Sequence, residues 1–144
     1  FNYHIQHGYA AYSTKPVPVE AFERFKSFAR DGLMYVAETS EKGVIGFALL
    51  KIYYNVDCFS KTAEVSYFIL PDFTNQGLGK RFMNTLTDAA RTHGIDKLVA
   101  NVSSLNPQSL AFHIRQGFRQ CGRLEKVGEK NGRLFDVIWF QKTI

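Results

Sequence analysis

Residues 64–80 of this chain read EVSYFILPDFTNQGLGK. The first seven residues are rich in β-branched and aromatic side chains, which predicts a strand that stops at Pro71. A short polar loop follows, and Gly77 and Gly79 then precede a helical pattern. A helix that starts beyond a strand end directs backbone N–H groups and the positive end of its dipole at one point. A phosphate or pyrophosphate commonly binds at such a point.

The glycine pair alone is a weak signal, because many helices begin near a glycine. A dinucleotide-binding fingerprint needs a third glycine where Phe82 stands, and an NTP-binding loop needs Gly-Lys-Ser/Thr after a longer gap. Both readings are therefore disfavoured. What remains is either an ordinary helix start or a short loop whose amides, with Lys80 and Arg81 nearby, hold a pyrophosphate.

The composition favours one folded domain. The chain has 144 residues, of which 45% are hydrophobic and 15% aromatic, and this suffices for one packed core. No apolar run approaches the ~18 residues of a membrane span, and no signal segment opens the chain. Cys58 and Cys121 show no metal-binding or redox spacing. This indicates free thiols in a reducing compartment and predicts a cytoplasmic protein without a membrane partner.

The formal net charge of +5 has two interpretations. It is either an ordinary basic surface or one that attracts a polyanionic small molecule such as a nucleotide cofactor. The cations are scattered and form no basic stripe, so we expect no nucleic-acid partner. His4 and His7 have no cysteine or carboxylate beside them in sequence, so no metal site is expected.

The periodicity predicts the order helix, antiparallel strands, helix, strand, helix and hairpin. Phe22, Phe25 and Phe28 recur at three-residue spacing, which predicts a helix over 19–30 that Gly32 ends. The remaining expected elements are strands over 33–39, 44–56, 62–70 and 97–103, helices over 76–92 and from Asn106 to Gly117, and two strands over 118–141 around an Asn131-Gly132 turn. Residues 1–16 carry no clear pattern. The order predicts an α/β (α+β) fold with helices on the faces of a mixed sheet.

Three signatures of the GNAT acetyltransferase superfamily have counterparts here, in the family's order. FILPDF at 68–73, followed by Gly77-Leu78-Gly79, resembles the acyl-CoA signature, and NPQSLAFHIRQGF at 106–118 resembles the second one. GRLFDVIWFQ at 132–141 and YAAY at 9–12 are similar to one branch, the phosphinothricin and amino-acid N-acetyltransferases. The resemblance covers nearly the whole chain.

This resemblance implies a single GNAT domain over residues 1–144, with the family's first strand expected before residue 1. It implies a central, mostly antiparallel sheet that splays at the acyl-CoA site, and acetyl-CoA as co-substrate without a metal. The implied acceptor is a small amine of the amino-acid, phosphinothricin or methionine sulfoximine type, and the implied assembly is a homodimer. Such an acceptor needs a cation for its carboxylate. Lys51, Arg115 and Arg133 are available, and the sequence does not choose among them.

Two residues are candidates for catalysis. Glu64 is either a solvated or ion-paired strand residue or a general base, and the resemblance implies the base. His113 alone would be an ordinary helical histidine. The resemblance places it where family enzymes carry a group that assists departure of the CoA thiolate.

The residues expected to bind the cofactor are Phe68, Ile69, Leu70, Asn75, Gln76, Gly77, Leu78, Gly79, Lys80, Arg81, Asn106 and Ser109. Asn106 has a second interpretation, as the N-cap of the helix that follows it. Thr74 stands where the family usually has Arg or Gln, so a side-chain contact to phosphate is lost. This loss supports one alternative, a non-catalytic acyl-CoA sensor. Acetylation of a protein N-terminus or lysine is the alternative activity for an enzyme.

Overall fold

The computed structural model describes every residue from Phe1 to Ile144. Its helices are α1 (Asn2–His7), α2 (Ala21–Phe28), α3 (Leu78–Thr92) and α4 (Pro107–Arg115). Its strands are β1 (Ala29–Thr39), β2 (Gly43–Ile52), β3 (Thr62–Ile69), β4 (Lys97–Ser103), β5 (Arg119–Lys130) and β6 (Arg133–Thr143). The strands form one mixed, mostly antiparallel sheet in the order β1-β2-β3-β4-β6-β5. This confirms the predicted fold class.

The chain divides into two compact units. Residues 19–98 and 143–144 form the first, and residues 1–18 and 99–142 form the second. We call them the Glu64 unit and the His113 unit, after the candidate catalytic residue that each contains.

In the Glu64 unit, helices cover both faces of the antiparallel strands β1, β2 and β3. On one face, the rings of Phe22 and Phe25 in α2 lie 6.0 and 5.6 Å from the ring of Phe47 in β2. On the other face lies α3. A Cβ built at Gly46 would come within 3.3 Å of the Phe82 ring of α3, so the absent side chain lets the helix approach the sheet closely.

Helix α3 forms where the helical period predicted it. Its apolar stripe of Phe82, Met83, Leu86 and Ala90 is buried, as expected of an amphipathic helix that packs on a sheet. The helix ends at Thr92, and the left-handed backbone at Gly94 (φ 69°) follows. A glycine adopts this conformation without the steric cost that a Cβ brings.

In the His113 unit, β5 and β6 form a hairpin around Asn131 and Gly132. Both turn residues have positive φ (51° and 71°), as a type I′ turn requires, so the predicted hairpin is confirmed. Beside the turn, the ammonium group of the buried Lys130 donates to the carbonyl oxygens of Gly8 and Ala11, each at 2.7 Å. Burial lowers the pKa of Lys130. These bonds fasten the segment after α1 to the end of β5.

The prediction was wrong at the end of the first long helix, which was expected to reach residue 30. Helix α2 ends at Phe28, because Ala29 adopts extended backbone and already pairs with Lys51 as part of β1. Asp31 and Gly32 have positive φ (50° and 72°) and form a bulge within β1. Gly32 therefore bends a strand and does not end a helix.

Two further differences are smaller. The strand expected to run to residue 56 ends at Ile52, before a 3₁₀ turn at Asp57–Phe59. Helix α1 occupies part of the N-terminal region for which no element was predicted. It has only six residues, too few for a periodic signal.

Gly128 in β5 lies opposite Phe135 in β6, and a Cβ at position 128 would overlap the Phe135 ring. We expect Gly128→Ala to lower the free energy of unfolding by about 1–3 kcal/mol, because the buried ring must leave its place. Gly122→Ala is the matched control, since its Cβ would meet Trp139 at 3.7 Å, an ordinary contact. Urea unfolding measures both variants, and equal losses would contradict the prediction.

Candidate functional site

Glu64 in β3 lies directly opposite Lys51 in β2. Residues opposite each other in an antiparallel pair point to the same face of the sheet, and Lys51 Nζ lies 2.5 Å from Glu64 Oε1. The two side chains are 29% and 15% exposed, respectively. The ion-pair interpretation of Glu64 is therefore confirmed. It is compatible with a role as base, because the pair remains open to solvent and to a ligand.

The ion pair lines a cleft of about 460 Å³. Its other lining residues come from the end of α2 and from β2 and the loop after it: Ser27, Phe28, Ile52 and Asn55. The cleft combines apolar walls with one cation and one anion, and its volume lies within the range of small-molecule sites.

The connection between β3 and α3 is held by its own hydrogen bonds. Thr74 Oγ1 donates to the carbonyl oxygen of Pro71 (2.8 Å), and Gln76 Nε2 donates to that of Asp72 (2.7 Å). Asn75 follows in the left-handed conformation, with φ of 59°. Thr74 therefore closes the 3₁₀ turn at Pro71–Phe73 and does not replace the long side chain that the family usually carries at this position.

The start of α3 fits an anionic ligand. Gly77 occupies the N-cap position with φ of 83°, and no side chain caps the first turn. The first backbone hydrogen bond of the helix runs from the Arg81 N–H to the Gly77 carbonyl oxygen (3.0 Å), so the preceding N–H groups remain available. Lys80 and Arg81 are exposed at the same helix end. Uncapped amides, a helix dipole and two cations suit a pyrophosphate.

Asn106, Ser109 and His113 lie along one face of α4. Asn106 Oδ1 accepts a hydrogen bond from the Ser109 N–H at 3.2 Å, which confirms the N-cap interpretation of Asn106. The Ser109 carbonyl oxygen accepts from His113 Nδ1 at 2.8 Å. The start of α4 and the imidazole are thus linked through one residue.

The His113 ring is buried, with 3% of the residue exposed. It stacks on Phe140 at 5.6 Å and meets Phe118 edge-on at 5.2 Å. Burial lowers the pKa of His113, and the hydrogen bond to the Ser109 carbonyl offsets part of this effect. The lowered pKa favours the neutral imidazole. Because a carbonyl oxygen only accepts, the proton sits on Nδ1, and Nε2 carries the lone pair.

A polar cluster that the sequence did not predict centres on Asp136 in β6. Its carboxylate accepts from the Lys126 N–H at 2.8 Å and from Arg123 Nε at 2.7 Å. Its backbone exchanges two hydrogen bonds with Ser104, at 2.8 and 2.9 Å. The Lys126 N–H, and then Arg123, hold the pKa of Asp136 below its ordinary value. The only sequence signal was one carboxylate within the apolar run of β6.

No three His, Cys, Asp or Glu side chains of this chain lie together as ligands for a metal ion. Cys58 and Cys121 are exposed free thiols. None of the four helices combines the length and the apolar composition needed to cross a bilayer.

The chain is similar to known acetyltransferases. The family model for the acetyltransferase (GNAT) family matches residues 2–118. The L-methionine sulfoximine/L-methionine sulfone acetyltransferase of Pseudomonas paraeruginosa is 32% identical over 131 residues, covering 88% of this chain and 76% of that protein.

Two crystal structures share the fold. One is a GNAT superfamily phosphinothricin acetyltransferase from Sinorhizobium meliloti in complex with acetyl-CoA, with TM-score 0.90 and 26% identity over 99% of this chain and 78% of that one. The other is a ribosomal-protein-alanine N-acetyltransferase from Brucella melitensis, with TM-score 0.88 and 28% identity over 99% of this chain and 89% of that one.

The lowered pKa of His113 makes part of the stability sensitive to acid. Below about pH 6.5 the unfolded chain binds a proton at this site that the folded chain does not bind. Stability therefore falls as the pH falls from there towards the lowered pKa. We expect His113→Phe to flatten the dependence of Tm on pH in this window, measured by thermal melts in a pH series.

Leu86→Ala in α3 is the control for this measurement. It removes a buried apolar side chain of the Glu64 unit and leaves the surroundings of the imidazole unchanged, so it should lower Tm at every pH and retain the slope. If the Tm of His113→Phe depends on pH as steeply as that of the wild type, other groups cause the acid sensitivity.

Proposed function

Because this chain belongs to the GNAT acetyltransferase family and is an acetyl-CoA-dependent N-acetyltransferase of its phosphinothricin, methionine sulfoximine and amino-acid branch, we propose that its acceptor is the amine of a free amino acid or a close analogue. The observation that carries this proposal is the cleft of about 460 Å³ beside Glu64. Its size and its paired charges suit a small, charged metabolite. The similarity to the Pseudomonas methionine sulfoximine enzyme supports the same class.

The acyl donor supplies an acetyl group activated as a thioester. We propose that the backbone of residues 68–70 pairs with the pantetheine arm, as a peptide adds to a strand. A backbone N–H near Phe68 would polarise the thioester carbonyl. The amides of residues 75–79, with Lys80 and Arg81, would bind the pyrophosphate. Asn106 and Ser109 are proposed to contact the cofactor from the start of α4.

Transfer is proposed to be direct, in a complex of both substrates. Glu64, directly or through a water molecule, takes a proton from the acceptor ammonium, and the freed amine attacks the thioester carbon. The C–S bond then breaks, the amine nitrogen loses its second proton as the amide forms, and the thiolate takes up a proton. His113 is the proposed carrier between the two: because Ser109 holds the Nδ1 proton of the neutral imidazole, Nε2 can accept the proton from the nitrogen and pass it to the thiolate.

A peptide acceptor is the second candidate. It is favoured by the similarity to the Brucella ribosomal-protein-alanine N-acetyltransferase, since an N-terminal amine needs the same proton removal. The two acceptors differ in one respect that an assay can use: a peptide N-terminus carries no carboxylate next to its amine.

The test is thiol release from acetyl-CoA with a panel of amines. The panel contains the free amino acids, L-methionine sulfone, phosphinothricin, a polyamine, a peptide with an N-terminal alanine and a lysine-containing peptide. We expect release with free amino acids or their analogues. Release with only a peptide would establish the second candidate. No thiol release with any amine, while acetyl-CoA still binds, would indicate a non-catalytic acyl-CoA sensor.

Glu64→Gln removes the proposed base and keeps the size of the side chain. We expect turnover at neutral pH to fall by about 10²–10⁴-fold, the usual contribution of a general base. Binding of CoA, measured by calorimetry, should stay unchanged. The control is Glu41→Gln in the exposed turn before β2, which should retain full activity. Equal activity of Glu64→Gln across the pH range would remove Glu64 from the mechanism.

We also propose that the chain forms a homodimer. Strand β5 lies at the edge of the sheet, and Leu124 and Val127 in β5 and Leu134 in β6 are about half exposed. An apolar edge strand is open to pairing with another chain. Sedimentation velocity should give a dimer for the wild type and a monomer for Leu124→Glu. A wild-type monomer at micromolar concentration would contradict the proposal.

A further inference from the structure

We propose that Lys51 binds the carboxylate of the acceptor, and that a zwitterionic α-amino acid exchanges partners with the Lys51–Glu64 ion pair. The acceptor's carboxylate binds Lys51, and its ammonium binds Glu64. This inference rests on the proposed function, whose acceptor it narrows to free α-amino acids with an uncharged side chain.

The geometry of the pair carries the inference. The β2–β3 register puts Lys51 and Glu64 side by side on one face, with Nζ and Oε1 only 2.5 Å apart. An α-amino acid carries its ammonium and its carboxylate on the same α-carbon, so it presents the complementary pair of charges. Since both side chains line the cleft and neither is fully buried, a ligand reaches both charges.

Charge balance favours the exchange. The free cleft holds one cation and one anion, and a zwitterion adds one of each, so every charge keeps a partner of opposite sign. An amine without a carboxylate would place two cations against the single anion, Glu64, which is electrostatically unfavourable. The pair therefore selects for acceptors that bring an anion next to their amine.

The exchange also prepares Glu64 for its proposed role. In the free protein, Oε1 of Glu64 is in contact with Lys51. When the acceptor's carboxylate draws Lys51 to itself, this oxygen becomes available to the ammonium group whose proton must be removed. Binding of the correct acceptor and separation of Glu64, the proposed base, from Lys51 would thus be one event.

The other cations considered for this role are not among the residues that line the cleft. Arg115 is exposed at the end of α4, and the Arg133 guanidinium lies over the ring of Tyr9 at 5.8 Å. Neither lines this cleft, whose remaining residues are apolar or neutral. The walls formed by Phe28 and Ile52, with Ser27 and Asn55, suit an uncharged side chain.

The experiment compares three forms of one acceptor: the free amino acid turned over fastest in the panel, its methyl ester and its decarboxylated amine. The enzymes are the wild type, Lys51→Gln and Lys51→Arg, each with acetyl-CoA. The wild type should prefer the acid over the ester by about ten- to a hundredfold in kcat/KM, the discrimination expected of one charge-assisted contact. Lys51→Gln should lose this preference, because the KM rises for the acid and falls for the ester, whose ammonium no longer meets a second cation, and Lys51→Arg should keep it.

Binding provides a readout that does not depend on turnover. L-methionine sulfone and its methyl ester are titrated into CoA-loaded wild type and Lys51→Gln by calorimetry. If no amine is acetylated but only the wild type discriminates acid from ester, the proposed function fails and the Lys51 assignment stands. Equal use of acid and ester by the wild type, or an unchanged preference in Lys51→Gln, overturns the assignment while the proposed function survives. No binding of the acid together with no turnover overturns both.

Discussion

The antiparallel register of β2 against β3 is the constraint on which the rest of the Glu64 unit depends. It pairs Lys51 with Glu64 and Phe47 with Phe68, on the face that α2 covers. A slip by one residue would send these side chains to the opposite face, where Gly46 allows α3 to pack closely. Each of the two helices needs an apolar sheet face to pack on. Only one β2–β3 register therefore buries the apolar side chains on both faces. The packing that builds the core therefore also sets the ion pair beside the cleft.

Strand β3 also determines where α3 begins. The Leu70 N–H still donates to the Ile45 carbonyl oxygen at 2.8 Å, and Pro71 then ends the strand because it has no N–H to donate. The loop closes on itself through Thr74, and the left-handed Gly77 starts the helix without a side-chain cap. The paired strand and the open helix end are thus two consequences of one continuous segment, residues 64–80.

Local rules predicted the long periodic elements and the hairpin at Asn131-Gly132, because period and turn chemistry act over a few residues. They failed at the end of α2, where pairing of β1 with β2 overrides the helical spacing and Asp31 and Gly32 form a bulge. They also gave no sign that Lys130 and Asp136 are buried. The hydrogen-bond partners of Lys130 lie about 120 residues away in sequence, and no local pattern reports a contact over that distance.

The candidate site likewise has one part that local sequence rules predicted and one part that depends on contacts between distant residues. The helix start near Gly77 was readable from the segment itself, whereas the cation beside Glu64 depends on a register that the sequence did not give. The exposure of that pair also matters: with side chains 29% and 15% exposed, it lies between a surface pair and a fully buried one. Exchanging its partners for those of a ligand keeps each charge beside an opposite charge, so the exchange leaves neither charge unpaired. A fully buried pair would resist exchange, because separating it would leave each charge desolvated and unpaired. Partial exposure is what lets Lys51 and Glu64 serve both the sheet and an acceptor.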